Sequence, residues 1–413
     1  MISPKRLALA VLGVLIGTTA AFAQIGGAQP RPGDPSSEEP PPARIQLGPV
    51  GIRPALILRE IGYDSNVLNR NTDEQGDFTA TVGARVDLGA RVSRFLANSS
   101  AFYEYLYFKD FTSERGSNRG AEGRVDLLLG RLRPHLLGGI RTSHDRPSPE
   151  IDTRALRTQT TVGTGLAVAA GSHTTLNVAY RRDEGDFDDD EFFRGVNLAE
   201  ELNLRSHAVT FGSAFELTPL TTVSVHGEER RDRFTNSSDR DNDSHRYGVT
   251  ASFSPLALIS GQASVGFAAF RPLSDLEPDF TGVTAAVSLA YAFHDQLRIA
   301  LSIDRDVRYS FIEETPYYVG TGSRASFTQR LFRNIDGVLT IGFDRIAYEA
   351  RLDEPEILDN QVDRVRLFGG GIGIRLSDDA RLVVNYDHTE RFSVVPTREY
   401  SRGRLYATLN YGF

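Results

Sequence analysis

From about Val50 to Phe413 the chain alternates apolar and non-apolar residues with period two, and this texture constrains the fold more than any motif. Alternation of this kind belongs to strands whose two faces meet different surroundings. In the segment 280–293, Val283, Ala285, Val287, Leu289, Tyr291 and Phe293 share one face. Gly282, Thr284, Ala286, Ser288, Ala290 and Ala292 share the other. In the segment 78–92, Ala80, Val82, Ala84, Val86, Leu88 and Ala90 oppose Thr79, Thr81, Gly83, Arg85, Asp87, Gly89 and Arg91. The last segment sets Leu405, Ala407, Leu409, Tyr411 and Phe413 against Arg404, Tyr406, Thr408, Asn410 and Gly412. No segment shows a convincing helical stripe, and none past the N-terminus approaches the ~20 apolar residues of a membrane helix.

The connections alternate too. Tight turns are expected at Ser93-Arg94, Leu132-Arg133, Gly171-Ser172, Thr218-Pro219, Ser254-Pro255, His294-Asp295, Arg333-Asn334 and Asp378-Asp379. Between them lie longer polar loops near 62–76, 109–118, 145–153, 184–201, 234–244, 272–279, 310–316, 350–361 and 392–399. Strict short/long alternation puts all turns at one end of an up-and-down array and all loops at the other. The segments predict an all-β transmembrane antiparallel barrel of about 18 strands, with 16 as the alternative. Short turns would face the periplasm and long loops the exterior. A β-propeller would repeat in four-strand blades, and a β-helix would show short stacked repeats; neither period is present. Closure also removes the edges that an open sheet of this size would expose.

The barrel gives the charges a place. The chain has 46 basic and 54 acidic residues, and every basic residue except Lys5 and Lys109 is Arg. The face expected to point inward carries Arg85, Asp87, Arg91, Glu104, Arg124, Asp126, Arg181, Glu228, Arg298, Asp304, Arg324, Arg330, Asp344, Asp387 and Arg404. On the lipid face each would cost a few kcal/mol near the midplane. In an aqueous lumen they can pair across strands, where the planar Arg fork makes two parallel bonds to one carboxylate. This lumen lining reads either as a selectivity or sugar-binding track or as a ladder that holds the barrel's shape. Tyr103, Tyr105 and Tyr107 share a face near a long loop and are expected to form an interfacial girdle.

The N-terminus indicates export. Lys5-Arg6, the apolar stretch Leu7–Ala21 and the small residues of Ala21-Phe22-Ala23 form a secretory signal expected to end at residue 23. Residues 24–49 are rich in Pro, Gly, Ser and Glu and read as a periplasmic linker, with the barrel occupying 50–413. With no Cys, disulfides, thiolate metal sites and a lipidated N-terminal Cys are excluded. The net charge of -8 argues against nucleic-acid binding. Asp239-Arg240-Asp241-Asn242-Asp243 resembles the start of a calcium loop but lacks the EF-hand glycine and distal glutamate, so a solvated outer loop is expected and no metal or cofactor. His144-Asp145 and Asp387-His388 point to opposite faces of a strand and make no acid/base dyad, so the chain is not expected to be an enzyme.

Two resemblances extend this reading. The ending Leu409, Tyr411, Phe413 resembles the C-terminal assembly signal of Gram-negative outer-membrane proteins, which implies insertion by the barrel-assembly machinery. Gly48-Pro49-Val50-Gly51-Ile52-Arg53-Pro54, Gly62-Tyr63-Asp64-Ser65-Asn66-Val67 and Gly76-Asp77-Phe78 are similar to the Putative beta-barrel porin family often encoded with exopolysaccharide secretion clusters. That similarity implies an outer-membrane channel serving as the exit conduit of an exopolysaccharide pathway. The partners then expected are outer-membrane lipid and lipopolysaccharide, together with periplasmic polysaccharide-export proteins. A general or solute-selective diffusion porin is the second reading, and a surface enzyme or adhesin on a barrel scaffold the third.

Overall fold

The computed structural model describes residues 44–255, 257–293, 296–353, 361–377 and 380–411. The alternating segments form strands β1 (Val50–Asp64), β2 (Asp77–Val92), β3 (Phe95–Phe108), β4 (Gly116–Leu127), β5 (Leu132–Asp145) and β6 (Ala155–Ala169). They continue as β7 (Thr174–Phe187), β8 (Leu204–Thr218), β9 (Thr221–Phe234), β10 (Asn242–Phe253), β11 (Ile259–Pro272) and β12 (Phe280–Phe293). The last third supplies β13 (Leu297–Tyr309), β14 (Tyr317–Arg330), β15 (Ile335–Glu349), β16 (Val362–Ser377), β17 (Ala380–Phe392) and β18 (Tyr400–Tyr411). Each strand pairs antiparallel with the next, and β18 returns to β1 from Leu56↔Tyr411 to Asp64↔Arg404. The result is a closed up-and-down barrel of 18 strands, the expected architecture.

The closing seam is irregular for a local reason. A bulge between Leu58 and Ile61 shifts the register, with Glu60 at φ 54°. Gly62 follows it, and a Cβ there would overlap the Leu405 carbonyl, so β1 and β18 approach too closely for any side chain at this position.

Side-chain exposure separates the two faces. Leu88, Tyr103, Tyr105, Leu136, Val162, Val225, Val265, Leu339, Ile372 and Leu405 are exposed apolar groups on the outer surface. Their neighbours in sequence turn inward, as Asp126 does beside the exposed Val125. Tyr103 and Tyr105 therefore belong to the outer surface, on the loop side of β3, as a girdle requires. Leu339 lies midway along the outward apolar run of β15, and Thr340 faces inward toward Ser326. Leu339→Arg is expected to lower stability in lipid vesicles by about 2–4 kcal/mol. Thr340→Arg should change it by less than about 1 kcal/mol. Equal losses in a denaturant titration would contradict this assignment of faces.

Two sequence expectations need revision. Leu132-Arg133 is not a turn: Leu132 opens β5, and the connection is Leu128–Arg131, with Gly130 at φ 64°. The end of the linker is not wholly irregular either, because Ile45–Leu47 pairs with β1 through a turn at Gly48-Pro49. The signal segment, most of the linker, the turns at His294-Asp295 and Asp378-Asp379, and the terminal Phe413 lie outside the described residues. No described helix is long and apolar enough to cross a membrane, which says nothing of strands. Among the described residues the longest helix is the short turn Leu198–Leu202, capped by the Asn197 side chain, which accepts from the amides of Ala199 and Glu200.

Candidate functional site

The inward face is a lattice of guanidinium–carboxylate pairs. Four strands place Arg and Asp two residues apart, so both fall on one face and bond side by side. These are Arg85–Asp87 (2.8 Å), Arg124–Asp126 (2.9 Å), Arg181–Asp183 (2.8 Å) and Arg230–Asp232 (2.8 Å). Other pairs join strands that are not neighbours: Arg59–Glu104 at 2.7 Å, Arg246–Asp306 at 2.7 Å, and Arg381 with Asp336. Only side chains on the inside of a closed barrel can meet in this way. Of the sequence-selected lumen residues, Arg85, Asp87, Glu104, Arg124, Asp126 and Arg181 take part in these pairs, and Arg404 pairs with Asp387 at 3.3 Å. Leu409 and Tyr411 stand on the outer face of β18, and Tyr411 is exposed. His144 and Asp387-His388 separate as expected: Asp387 points inward to Tyr406 and Arg404, and His388 lies beside Glu390.

At the loop end, strand tops and loop residues pack into a plug of buried side chains. The β12–β13 pairing stops at Ala285↔Arg305, although β12 stays paired with β11 up to Phe270↔Phe280. Beyond that point the top of β13 and β14 leans into the barrel. Val307 and Tyr309, outward by alternation, are buried, and the Tyr309 ring packs on Phe234 and Phe270. Its hydroxyl donates to Asp232 at 2.6 Å. Loop residues complete an apolar core: Ile151, Phe193, Leu198, Leu202 and Phe311 pack with Phe187, Leu204 and Tyr317. Phe193 meets Phe311 edge-on at 4.8 Å.

Buried polar contacts tie this plug to the wall. Arg391 of β17, with no exposed side-chain surface, donates to the Pro149 carbonyl (2.9 Å), Asp152 (2.7 Å) and Asp363 (2.6 Å). Arg398 donates to the Tyr348 hydroxyl at 2.7 Å. Ser310 donates to Glu150 at 2.7 Å, and Arg240 donates to the carbonyls of Ser310 and Ile312. The segment 239–243 is therefore no solvated loop: Arg240 is buried in the plug and Asp241 accepts from the Phe234 amide. Among the described residues no group of His, Asp or Glu is placed to hold a metal ion.

Beside the plug a cavity of about 620 Å³ is lined by residues 67–73, by Glu114, Arg146, Asp152, Arg154, Phe193 and Arg194, and by Thr397. Its carboxylates are engaged: Glu114 with Arg154 at 2.9 Å, Asp152 with Arg391, and Asp73 with Arg70 at 3.8 Å. Arg146 instead donates to the carbonyls of Asp152 and Val67, and Arg194 to the hydroxyl and carbonyl of Thr397. Among the described residues neither has a carboxylate within 4.0 Å, and Asp152 is the acid that bears on both.

The family model described as "Putative beta-barrel porin 2" matches residues 41–413. The chain belongs to this family. Among solved structures it is similar to a BenF-like porin from Pseudomonas fluorescens Pf-5, with 10% identity and a TM-score of 0.51. The match covers 88% of this chain and 99% of that one. OccK9 (OpdG) from Pseudomonas aeruginosa aligns with 12% identity and a TM-score of 0.48, covering 87% and 98%. No curated protein matches. At 10% identity the BenF-like porin shows a shared barrel fold and nothing finer.

Several buried loop groups of this porin-family barrel are shifted from their ordinary values. Burial pushes the Glu150 carboxyl up to about 7, against the pull of Arg398 and the bonds from Ser310 and Phe311. Burial, with Arg154 and Arg402 nearby, draws the Arg146 guanidinium down to about 9. Arg194 is lowered by burial and by Arg398. An anion in the cavity would relieve both cations. Sequence reading missed these loop residues because loops have no period to read. It also passed over Arg59, Asp183, Arg230, Asp232, Arg246, Asp306, Asp336 and Arg381, although the Arg-x-Asp spacing on alternating strands was visible.

Proposed function

We infer that the protein is an outer-membrane channel for the export of an acidic exopolysaccharide, closed at its outer mouth by its own loops until polymer is delivered. The observation that carries this reading is the plug. A general diffusion porin needs a standing aqueous path, whereas an apolar core tied to the wall by Arg391, Arg240 and Glu150 favours a conduit opened by its cargo. Arg146 and Arg194, which line the cavity without an ion-pair partner among the described residues, favour cargo bearing carboxylates. Solute-selective diffusion of small acids is the second reading, favoured by the same two cations.

Deleting the gene should abolish surface polymer while polymer accumulates inside the outer membrane. Complementation with the unaltered gene should restore it, and complementation with Arg146→Gln/Arg194→Gln should restore it only in part. Unchanged surface polymer on deletion would sink the export reading and leave the diffusion reading standing.

A further inference from the structure

The outer surface just above the apolar band differs from one side of the barrel to the other. On β7–β10 several of its charges pair with one another. Glu184 bonds Arg182 and Arg205, both at 2.6 Å, Arg233 bonds Asp243 at 2.8 Å, and His245 lies 3.6 Å from Glu229. On β13–β16 they do not. Arg305 and Arg345 both stand opposite Thr321 of β14, and Arg345 stands directly opposite Arg364 of β16. Arg366 lies one outward place lower, opposite Phe343. Like charges facing each other across a ladder destabilise it.

Carboxylate relief is missing on this side. Among the described residues Arg345, Arg364 and Arg366 have no acidic group within 4.0 Å. Glu390, opposite Arg366 in register, is 3.2 Å from His388 instead, and the Arg366 guanidinium lies 4.9 Å over the Phe392 ring. Arg305 uses two of its donors on the Val283 carbonyl and the Thr321 hydroxyl. Arg345, Arg364 and Arg366 are exposed.

Position selects the missing anion. Arg345 is two residues beyond Phe343 toward the loops, a rise of about 7 Å along the strand. Phe343 packs edge-on against Phe368, and below them Leu339, Ile341 and Ile372 form the lipid-facing band. A cation at that height meets the headgroups of the outer leaflet. Guanidinium forks match phosphate oxygens in charge and geometry.

We propose that Arg345, Arg364 and Arg366, flanked by Arg305, form a binding site for the phosphate groups of an outer-leaflet glycolipid. The three guanidinia cluster on the adjoining strands β15 and β16, so the bound lipid would mark a fixed orientation of the protein against its lipid neighbours. It is independent of what passes through the lumen.

The test uses the full-length protein, refolded in detergent and examined by native mass spectrometry with bisphosphorylated lipid A. Retained lipid should fall about tenfold or more in Arg345→Gln/Arg364→Gln/Arg366→Gln, and should be unchanged in Arg182→Gln on the paired side. Lipid A stripped of phosphate should bind the unaltered protein as weakly as the triple variant does. Arg364→Glu separates binding from folding, because the new carboxylate would pair with Arg345. That variant should unfold at the same temperature or higher yet lose the lipid. Equal retention by the triple variant, loss in Arg182→Gln alike, or full competition by free inorganic phosphate at equal concentration would each overturn the proposal.

Discussion

Arg391→Met is expected to open the outer mouth while leaving the barrel intact. The Arg391 side chain is fully enclosed and holds Asp152 and the Pro149 carbonyl of the loop 146–154 against Asp363 at the start of β16. Methionine keeps much of the stem's volume but leaves two carboxylates without their main cation. Breaking a buried pair in this way costs about 3–5 kcal/mol. The strain is released most easily by undocking 146–154, which carries Asp152 into water and withdraws Ile151 from the plug. Hydrogen exchange in 146–154 should accelerate by two or more orders of magnitude, while the strand amides keep their protection. Cells expressing the variant should become sensitive to large hydrophilic antibiotics. Adding Asp152→Asn should recover part of the closure. Unaltered exchange in the loop would show that the Arg391 knot does not hold it.

The second large effect is a pH dependence of closure. Burial pushes Glu150 up to about 7 from a usual value near 4.5. A carboxyl raised on docking contributes fully when protonated, below about 4.5, and its contribution is lost as pH rises through about 7. The interval corresponds to roughly 3 kcal/mol, on the order of a few hundredfold in the docking equilibrium. Arg398 and Arg391 face Glu150 and pull its carboxyl down, but burial outweighs them. Glu277, in the loop between β11 and β12, is also raised to about 7 by burial and acts in the same direction. Conductance in a planar bilayer should therefore rise between pH 5 and pH 8. Glu150→Gln should flatten most of that rise and hold the closed state. Conductance that falls over this range would contradict the assignment.

How far the sequence could be read follows from where each feature gets its period. The wall was legible because every crossing segment must show lipid one face and water the other. Val283 to Phe293 and Ala80 to Ala90 announce this without any partner in view. The inward positions of Arg85, Asp126 and Arg404 followed from the same alternation. The plug was not legible. Val307 and Tyr309 obey the alternation of a lipid-facing strand, yet the tilt of β13 away from β12 turns them into core. Arg240 sits in a run of acids that reads as solvated, but its contacts are to Ser310 and Ile312, some seventy residues away. Arg391 looks like one more lumen cation until the loop from Arg146 to Arg154 is laid over it. Contacts of this kind depend on loop conformation, which leaves no periodic trace.

The most direct test of a loop-closed export barrel is the conductance of the unaltered full-length protein in a planar bilayer at pH 5, where Glu150 is protonated and the plug most tightly docked. A closed resting barrel predicts little or no steady current, with brief openings at most. A large steady current at pH 5, of the size an unobstructed barrel of 18 strands would pass, would contradict it.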